Sequence, residues 1–337
     1  MKNFSFNFLS SKQLNTFTNI LKFYKSKHIF NRNKKYFDWR FKSSTKNYNI
    51  AILKYKKNII SFLSFYPLSQ YDKSLNNNKV FFLSLAFNKK NILPFQLKLL
   101  FDYLVKKKKP KIIFTSPLEH SLNINKYLGF KFIKLDHYFF KTKKKTKIEG
   151  LKNFNKISTI NSNKIDDCRI ISEKELKKLK INFFKYQYPV KSKKYLINKY
   201  LKHPIFKYIF LGSFKKKNIT SLIILRVQKY KNLKIGRIVD FVGNQKNLYK
   251  FNNILWKISD NKNFEYIDFY NFGILEKNLI KAGFFNKKYL NSVVIPDYFN
   301  PYENKNINLY MGIMYKDHQT LKNINYFKGD CDLDVPR

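Results

Sequence analysis

The feature that most restricts what this chain can fold into is an internal repeat with matched spacing. In the first half, Ile112-Ile113-Phe114 opens an apolar run, and Leu128-Gly129-Phe130 closes the helical segment that follows it. In the second half, Tyr266-Ile267-Asp268 and Ala282-Gly283-Phe284 stand at the same separation. Such a repeat indicates one supersecondary unit used twice. We therefore predict two αβ modules in tandem.

The chain length agrees with two modules. At 337 residues, each half is long enough to bury a core of its own. We predict an N-terminal module over 1–142 that has lost its chemistry, a linker over 143–163, a second module over 164–318 and an acidic tail over 319–337. The linker prediction depends on a lysine-rich stretch that Gly150 and a polar run follow.

The formal net charge of +47 suggests anionic partners, because a basic surface is the electrostatic footprint of nucleic-acid-binding proteins. Nearly all of this charge is lysine, however, whereas arginine is the preferred residue for phosphates and base edges. Lys, Asn, Ile, Phe and Tyr are abundant together and have A/T-rich codons, so a biased genome explains the composition without a nucleic-acid role. We expect no DNA partner and leave tRNA open. The charge would still concentrate nucleotides, carrier proteins or lipid headgroups.

Cysteine and histidine give no sign of a metal site. Cys168 and Cys331 lack zinc or redox spacing, and the five histidines are scattered. The first ten residues lack the apolar core of a signal peptide, and no apolar run approaches the ~20 residues of a membrane span. We expect a cytoplasmic protein without a metal and without integral membrane association.

Hydrophobic periodicity predicts the same order of elements in both halves. The first half reads as helices, an antiparallel hairpin, a third strand, a helix, a strand, a helix ending at Gly129, and one last strand over 131–140. The second half repeats that order and ends with strands over 285–295 and 308–314. Ser172 and Glu175 have the spacing of a capping box at the start of its first helix.

This order, with its two Gly-Phe endings, resembles the GNAT-type N-acyltransferases. Tyr127-Leu128-Gly129-Phe130 is similar to the Leu-Gly-Phe after that family's last helix, and Lys281-Ala282-Gly283-Phe284 looks like a second copy. Phe37-Asp38-Trp39-Arg40, Tyr200–Pro204 and Arg237–Phe241 resemble GNAT-like proteins of surface-polysaccharide gene clusters. The resemblance implies an α+β or α/β fold of two tandem modules. Each would be a mixed, mostly antiparallel sheet with helices on both faces.

The activity that the resemblance implies is transfer of an acyl group from a thioester, with acyl-CoA or acetyl-CoA as donor. The suggested acceptor is an amino group, such as that of a nucleotide-linked sugar used for surface glycans. In this family a Gly-rich turn holds the pyrophosphate of the donor, and the sequence departs from that pattern. The turn over 87–94 has no glycine, and the turn over 243–248 has one, Gly243. Side chains there would crowd a pyrophosphate.

The candidate catalytic residues are carboxylates and a tyrosine in the strands of the second module. Asp240 and Asp268 could accept a proton from an attacking amine, because burial would raise their proton affinity. Tyr270 could replace the tyrosine acid that the family often has before its Gly-Phe. The alternative is structural, with the aspartates paired to Arg237, Arg226 or a lysine.

Other positions are candidates for binding. The donor would contact Val242, Gly243, Asn244, Gln245, Lys246 and Asn271, and the acceptor would contact His203, Arg237, Asp330 and Asp332. Helix capping is the simpler role for Asn271, and interaction with a helix terminus is the simpler role for His203. Asp330 and Asp332 lie in a tail that either folds over the cleft or is solvated.

Two other functions stay open. A Fem-type transferase also has tandem GNAT modules, but it takes its acyl group from aminoacyl-tRNA, so it needs no Gly-rich turn and would suit a lysine-rich surface. A non-catalytic binding or scaffold protein would explain why both turns lack the family's glycines.

Overall fold

The computed structural model describes residues 3–24, 28–89, 92, 95–142, 167–181, 183, 186–290, 293–297, 303–315, 324–331 and 333. The predicted linker lies outside these residues. The helices are α1 Leu14–Tyr24, α2 Ile29–Arg32, α3 Lys34–Phe41, α4 Gln96–Lys108, α5 Leu122–Tyr127, α6 Glu173–Lys178, α7 Lys193–Leu196, α8 Asn252–Lys262 and α9 Glu276–Lys281. The strands are β1 Phe4–Ser10, β2 Asn47–Tyr55, β3 Asn58–Pro67, β4 Val80–Asn88, β5 Ile112–Thr115, β6 Lys131–Lys134, β7 Asp136–Lys141, β8 Cys168–Ile171, β9 Tyr208–Lys215, β10 Asn218–Tyr230, β11 Leu233–Gly243, β12 Tyr266–Phe272, β13 Phe284–Asn286, β14 Tyr310–Tyr315 and β15 Tyr326–Phe327.

The chain forms two compact units. The first unit contains the described residues of Met1–Ile133 and Tyr310–Thr320, and the second contains those of Lys134–Leu309 and Leu321–Asp334. Each unit is built around one mixed sheet. No described helix is long and apolar enough to cross a membrane.

The sheet of the first unit has seven strands in the order β1-β2-β3-β4-β5-β14-β6. Its β4–β5 pair is parallel, whereas β1 through β4 form an antiparallel meander. Helix α4 packs Leu100, Phe101 and Leu104 into the core on one face. Phe17 of α1 meets Phe62 of β3 at 4.9 Å between ring centroids, which covers the other face. Helices therefore shield both faces, as predicted.

The sheet of the second unit has the order β13-β7-β12-β11-β10-β9-β8, with β15 paired to β12 outside this path. Its β11–β12 pair is parallel and the neighbouring pairs are antiparallel. Helix α8 contributes Leu255 and Ile258 to the core, which continues through Ile238 and Phe269 of the central strands. The repeat in the sequence thus corresponds to one sheet architecture formed twice.

Strand exchange between the halves of the sequence is where the structure corrects the predicted order. The single strand predicted over 131–140 is two strands that separate at Leu135, which is buried. Strand β6 stays in the first sheet, while β7 lies between β12 and β13 of the second. The strand predicted to close the second half over 308–314 is β14, and it lies between β5 and β6 of the first sheet. Hydrophobic periodicity predicts that a segment is a buried strand but not which strand it pairs with. The exchange of strands between the two sheets therefore could not be predicted from local sequence.

Other differences concern the edges of the sheets. Strands β1 and β8 were not predicted, and the strand predicted over 285–295 is the shorter β13. Ser172 does cap α6, where its hydroxyl accepts a hydrogen bond from the Glu175 amide at 3.2 Å. Gly129 and Gly283 end their helices with φ of +95° and +89°, as the Gly-Phe motif predicted.

Candidate functional site

A parallel strand pair diverges in each unit, which opens a gap in the sheet. In the first unit, β4 and β5 pair from Val80↔Ile112 to Phe82↔Phe114, and β4 then continues to Asn88. In the second unit, β11 and β12 pair from Gly236↔Ile267 to Ile238↔Phe269, and β11 continues to Gly243. Ligands of open αβ sheets bind where strands separate at their carboxyl ends. Each unit therefore has one gap that could hold a ligand.

The gap of the second unit is filled by the chain itself, through residues 324–331, here called the inserted segment. Phe327 and Tyr326 pair antiparallel with Asn271 and Phe272 of β12. On the other side, the Gly329 amide donates a hydrogen bond of 2.7 Å to the Val239 carbonyl of β11. The inserted segment thus bonds to both diverging strands.

Asp240, the first predicted catalytic residue, belongs to a buried ion network. Lys191 Nζ lies 2.7 and 2.9 Å from its two carboxylate oxygens and 3.0 Å from Asp330 Oδ2. Tyr200 Oη donates to Asp240 at 2.5 Å. Tyr200 and Lys199 come from the π-helical turn Ile197–Leu201 that extends α7. We call Lys191, Lys199, Asp240 and Asp330 the Asp240 network.

The environment of this network sets its proton affinities. Burial raises the pKa of Asp240, and Lys191 offsets that effect only in part. Burial alone would lower the pKa of Lys191, but Asp240 and Asp330 outweigh it and raise that pKa. Burial also raises the pKa of Tyr200 well above its usual value, so Tyr200 stays a phenol that donates to the carboxylate. Burial thus raises the proton affinity of Asp240, but the carboxylate is enclosed by its partners.

Arg237 and Asp268 form a second buried network. Arg237 Nε and Nη2 donate to the Asp268 carboxylate at 2.9 and 2.7 Å, and Nη1 donates to the Asp297 carbonyl at 2.8 Å. Lys328 of the inserted segment donates to the Asp297 carboxylate. Burial alone would raise the pKa of Asp268, but Arg237 outweighs it and lowers that pKa. We call Arg237, Asp268, Asp297 and Lys328 the Arg237 network.

Each network is electrically balanced only with the inserted segment in place. The Asp240 network contains two lysines and two aspartates, one of which is Asp330. The Arg237 network contains Arg237, Lys328 and two aspartates. Without the segment, the first would keep an excess positive charge and the second an excess negative charge. Uncompensated buried charges are strongly destabilising, so the segment is an integral part of the second unit.

Tyr270, the predicted acid, lies beside the Arg237 network. Its ring stacks on His137 with the centroids 3.7 Å apart, and Lys328 Nζ lies 4.8 Å from its centroid. Burial lowers the pKa of His137 and raises that of Tyr270 well above its usual value. The Tyr270 hydroxyl and the Asn271 side-chain nitrogen have no hydrogen-bond partner among the described residues. They are two buried polar atoms with unused hydrogen-bonding capacity.

The predicted donor-binding turn of the second unit uses its own polar groups internally. The Asn244 amide donates to the Thr220 carbonyl at 3.3 Å, and the Lys246 amide donates to the Asn244 side chain at 3.0 Å. Gln245 Oε1 accepts from the Leu275 amide at 2.8 Å. Gly243 has φ of +114°, and an added Cβ there would lie 2.6 Å from the Thr220 carbonyl oxygen. That glycine is needed for close packing on β10, where Val242 is also buried in the sheet.

The remaining predicted binding residues are dispersed. His203 Nδ1 accepts hydrogen bonds from the Ile205 and Phe206 amides at 3.1 and 2.9 Å, which makes it the cap of a turn. Asp332 lies outside the described residues. Among the residues that the structure describes, no group of histidine, cysteine, aspartate and glutamate could hold a metal ion.

The gap of the first unit opens into a cavity of about 390 Å³ with apolar walls. Its lining comes from the end of β4, the start of α4 and the face of α5, namely Asn88, Phe95, Leu97, Lys98, Asn123, Ile124, Tyr127 and Leu128. Phe95 and Tyr127 stack with their centroids 5.8 Å apart, although 65% and 55% of these residues are exposed. Among the described residues no other strand is paired to β4 beyond Phe82 on the side of β5. This gap is open.

Sequence reasoning missed four residues of the buried networks, namely Lys191, Lys199, Asp297 and Lys328, and it missed His137, which stacks on Tyr270. Lysines are so abundant in this chain that a buried lysine has no distinguishing pattern. A usable signal for Lys328 was its place between Phe327 and Gly329, because an aromatic and a glycine flanking a charge are unusual in a solvated tail.

The comparisons with known proteins concern the fold. No protein-family model matches the sequence, and neither does any curated protein. Among solved structures, the chain is similar to a GCN5-related N-acetyltransferase from Anabaena variabilis, with TM-score 0.56 and 9% identity over 95% of this chain and 75% of that one. It is also similar to a conserved protein from Enterococcus faecalis described as a candidate N-acyltransferase, with TM-score 0.57 and 8% identity over 94% and 73%. A candidate acetyltransferase from Pyrococcus horikoshii matches with TM-score 0.51 and 10% identity over 97% and 94%.

These likenesses cover most of the chain, so they concern both units together. The protein has the fold of the GNAT-type N-acyltransferases in a tandem form, with one GNAT-like module in each unit. The predicted fold is confirmed.

Proposed function

We propose that the protein is an N-acyltransferase that moves an acyl group from a thioester to an amino group. The observation that carries this proposal is the open gap between β4 and β5 of a GNAT-type sheet, which ends in an apolar cavity. In this fold the pantetheine arm of the donor lies in such a gap. A second line of support is that the solved structures with this fold are described as acetyltransferases or N-acyltransferases.

The donor would occupy the first unit rather than the second. The inserted segment already supplies the strand-like hydrogen bonds between β11 and β12 that an extended pantetheine arm would otherwise make. In the first unit, no described strand pairs with β4 beyond Phe82 on the side of β5. This reverses the roles that the sequence suggested, in which the second module was active and the first was not.

The transfer step requires few protein groups. The amine nitrogen attacks the thioester carbonyl carbon, the C–N bond forms, the C–S bond breaks, and the nitrogen's proton leaves with the thiol or with solvent. The apolar cavity walls at Ile124 and Leu128 would shield the thioester from water. The acceptor that we favour is the amino group of a nucleotide-linked sugar, which the basic surface would attract.

An aminoacyl-tRNA donor of the Fem type is the second candidate. A separate cavity of about 450 Å³ in the second unit supports it, because Lys174, Lys178, Lys180 and Lys217 line it, with Glu175 as the one carboxylate. Lysines attract a phosphate backbone through counterion release, so binding there should weaken steeply with salt. If no donor binds, a non-catalytic scaffold protein is the remaining candidate function.

Thermal-shift measurements test this proposal, because a ligand that binds only the folded protein raises Tm, and the rise grows with the ratio of ligand concentration to Kd. The ligands are acetyl-CoA, other acyl thioesters, charged tRNA and nucleotide sugars. The variant Ile124→Trp should fill the cavity of the first unit and abolish the shift with thioesters. Ile280→Trp on α9 is the matched control, since Ile124 and Ile280 are 43% and 45% exposed. A thioester shift that only Ile280→Trp removed would refute the assignment to the first unit, and no shift with any donor would refute the activity.

A further inference from the structure

We infer that the acyl donor is carried by a small acidic carrier protein, on its phosphopantetheine arm, and that this protein docks on the first unit around Phe95 and Tyr127. The inference rests on the proposed function and names the class of its donor. It depends on three features of the first unit: an exposed apolar patch, an excess of lysine, and a turn after β4 whose sequence has no glycine.

The apolar patch lies at the cavity of the first unit. Phe95, Ile124 and Tyr127 are large apolar side chains that stay substantially exposed. They come from the start of α4 and from α5, and all three line the cavity itself. Exposed apolar clusters of this kind, bordered by polar residues, mark interaction sites. A protein partner would cover this patch, whereas the pantetheine arm of a small ligand would cover only the cavity.

The charge of the first unit selects an acidic partner. Residues 1–133 contain 26 lysines and arginines but only four carboxylates, namely Asp38, Asp72, Asp102 and Glu119. Three of these are already engaged, because Asp38 accepts from Tyr48, Asp72 caps a helical turn and Asp102 pairs with Lys98. Exposed Lys89 follows the end of β4, and exposed Lys126 lies on α5; both elements border the cavity. Charge complementarity of this kind steers association and suppresses wrong partners.

The turn after β4 argues against the adenosine diphosphate part of coenzyme A. The segment from Phe87 to Phe95 contains no glycine. Among its described residues, the Lys89 amide already donates to the Ile60 carbonyl at 2.8 Å, and the Lys89 carbonyl accepts from Gln96 Nε2 at 2.8 Å. A pyrophosphate needs several converging amides. A carrier-linked arm has a single phosphodiester and presents its remaining anions on the carrier surface, where the lysines can meet them.

The chemistry of the step does not change with the donor. The amine attacks the thioester carbonyl, the C–N bond forms and the C–S bond breaks. The leaving thiolate stays on the pantetheine arm of the carrier and takes up one proton, which balances the proton that the amine loses directly or through solvent. The carrier then dissociates with its arm in the free thiol form.

Binding measurements with immobilised protein test the inference. The probes are acetylated holo acyl carrier protein of fatty-acid synthesis, the same carrier without its pantetheine arm, and acetyl-CoA. We expect the acetylated carrier to bind about tenfold more tightly than acetyl-CoA, and to lose about tenfold on removal of the arm. Tyr127→Ser should weaken carrier binding by about tenfold, whereas the control Tyr289→Ser should not. Tyr289, at 67% exposed, is an aromatic of like exposure in the second unit.

Each outcome has a distinct meaning. Acetyl-CoA binding as tightly as the carrier, with Ile124→Trp still abolishing it, would overturn the inference and leave the proposed function intact. If Tyr127→Ser does not change carrier binding, or if Tyr289→Ser weakens it equally, the binding is general charge attraction. Either result would overturn the inference. Binding of neither probe would overturn the inference and the proposed function together.

Discussion

The amide of Gly329 donates a hydrogen bond of 2.7 Å to the carbonyl oxygen of Val239, which joins the inserted segment to β11. Because Phe327 pairs with Asn271 of β12 on the opposite side, the same few residues hold both edges of the gap. The gap between the diverging strands of the second unit is therefore filled by the chain itself.

Close packing at Gly329 predicts that even a methyl group will disturb this arrangement. A Cβ there would lie 2.7 Å from the Val239 carbonyl oxygen and 2.5 Å from Tyr200 Oη. We expect Gly329→Ala to lower the free energy of unfolding by about 1–3 kcal/mol, as overpacking does. Urea unfolding measures it. Tyr200→Phe removes one of the two clashing atoms, so the double variant should cost less than the sum of the single variants. Strict additivity would show that the two residues do not meet.

The charge balance of the Asp240 network predicts that Asp330→Asn strongly lowers the free energy of unfolding. Asp330→Asn leaves Lys191 and Lys199 with Asp240 as the one carboxylate of the network, and breaking a buried ion network costs about 3–5 kcal/mol. The matched control is Asp102→Asn, which removes an exposed partner of Lys98 and should cost under about 1 kcal/mol. Equal costs in chemical denaturation would mean that Asp330 is not buried among charges.

Several local features of the fold could be predicted, because they depend on residues that are close together in the sequence. The hairpin β2–β3, the cap at Ser172 and the helix ends at Gly129 and Gly283 all follow from residues close together in the chain. The exchange of β7 could not be predicted, because a strand with apolar residues on both faces fits either sheet. The pairing of the strand is decided by long-range packing.

The residues of the two buried networks were predicted in part, and for a similar reason. Asp240, Asp268 and Arg237 were recognised as a group because they fall on neighbouring strands. Their partners were not, because Lys191 and Lys328 are remote in sequence and look like any other lysine of the chain. A carboxylate on a strand can act as a base or form an ion pair. Which of the two it does depends on the side chains that contact it.

The lowered pKa of Lys328 predicts that the free energy of unfolding depends on pH in the alkaline range. Burial and the nearby Arg237 lower the pKa of Lys328 to about 8, whereas an unfolded lysine has a pKa of about 10.4. Between these values the unfolded chain binds more protons at this residue, so its contribution to stability rises with pH. That contribution is complete above about pH 10.4 and is lost as pH falls through about 8.

The measurement is the free energy of unfolding at several pH values between 8 and 10, for the wild type and for Lys328→Met. The charged groups that face Lys328 are Asp297, Asp268 and Arg237, and all three keep their charges in this range. The wild type should show the steeper rise with pH. Parallel curves for the two proteins would contradict the lowered pKa.

Deletion of residues 324–337 separates a structural role of the inserted segment from an inhibitory one. If the segment is integral, the shortened protein should lose several degrees of Tm, because Lys191 and Asp297 lose their partners Asp330 and Lys328 and buried charges are left unbalanced. It should gain no affinity for acetyl-CoA. The control is Ile124→Trp in the shortened chain, which should still abolish thioester binding if all binding is in the first unit. A gain in affinity that survives Ile124→Trp would instead show that the segment covers a working site, with Asp240, Asp268 and Tyr270 as its catalytic residues.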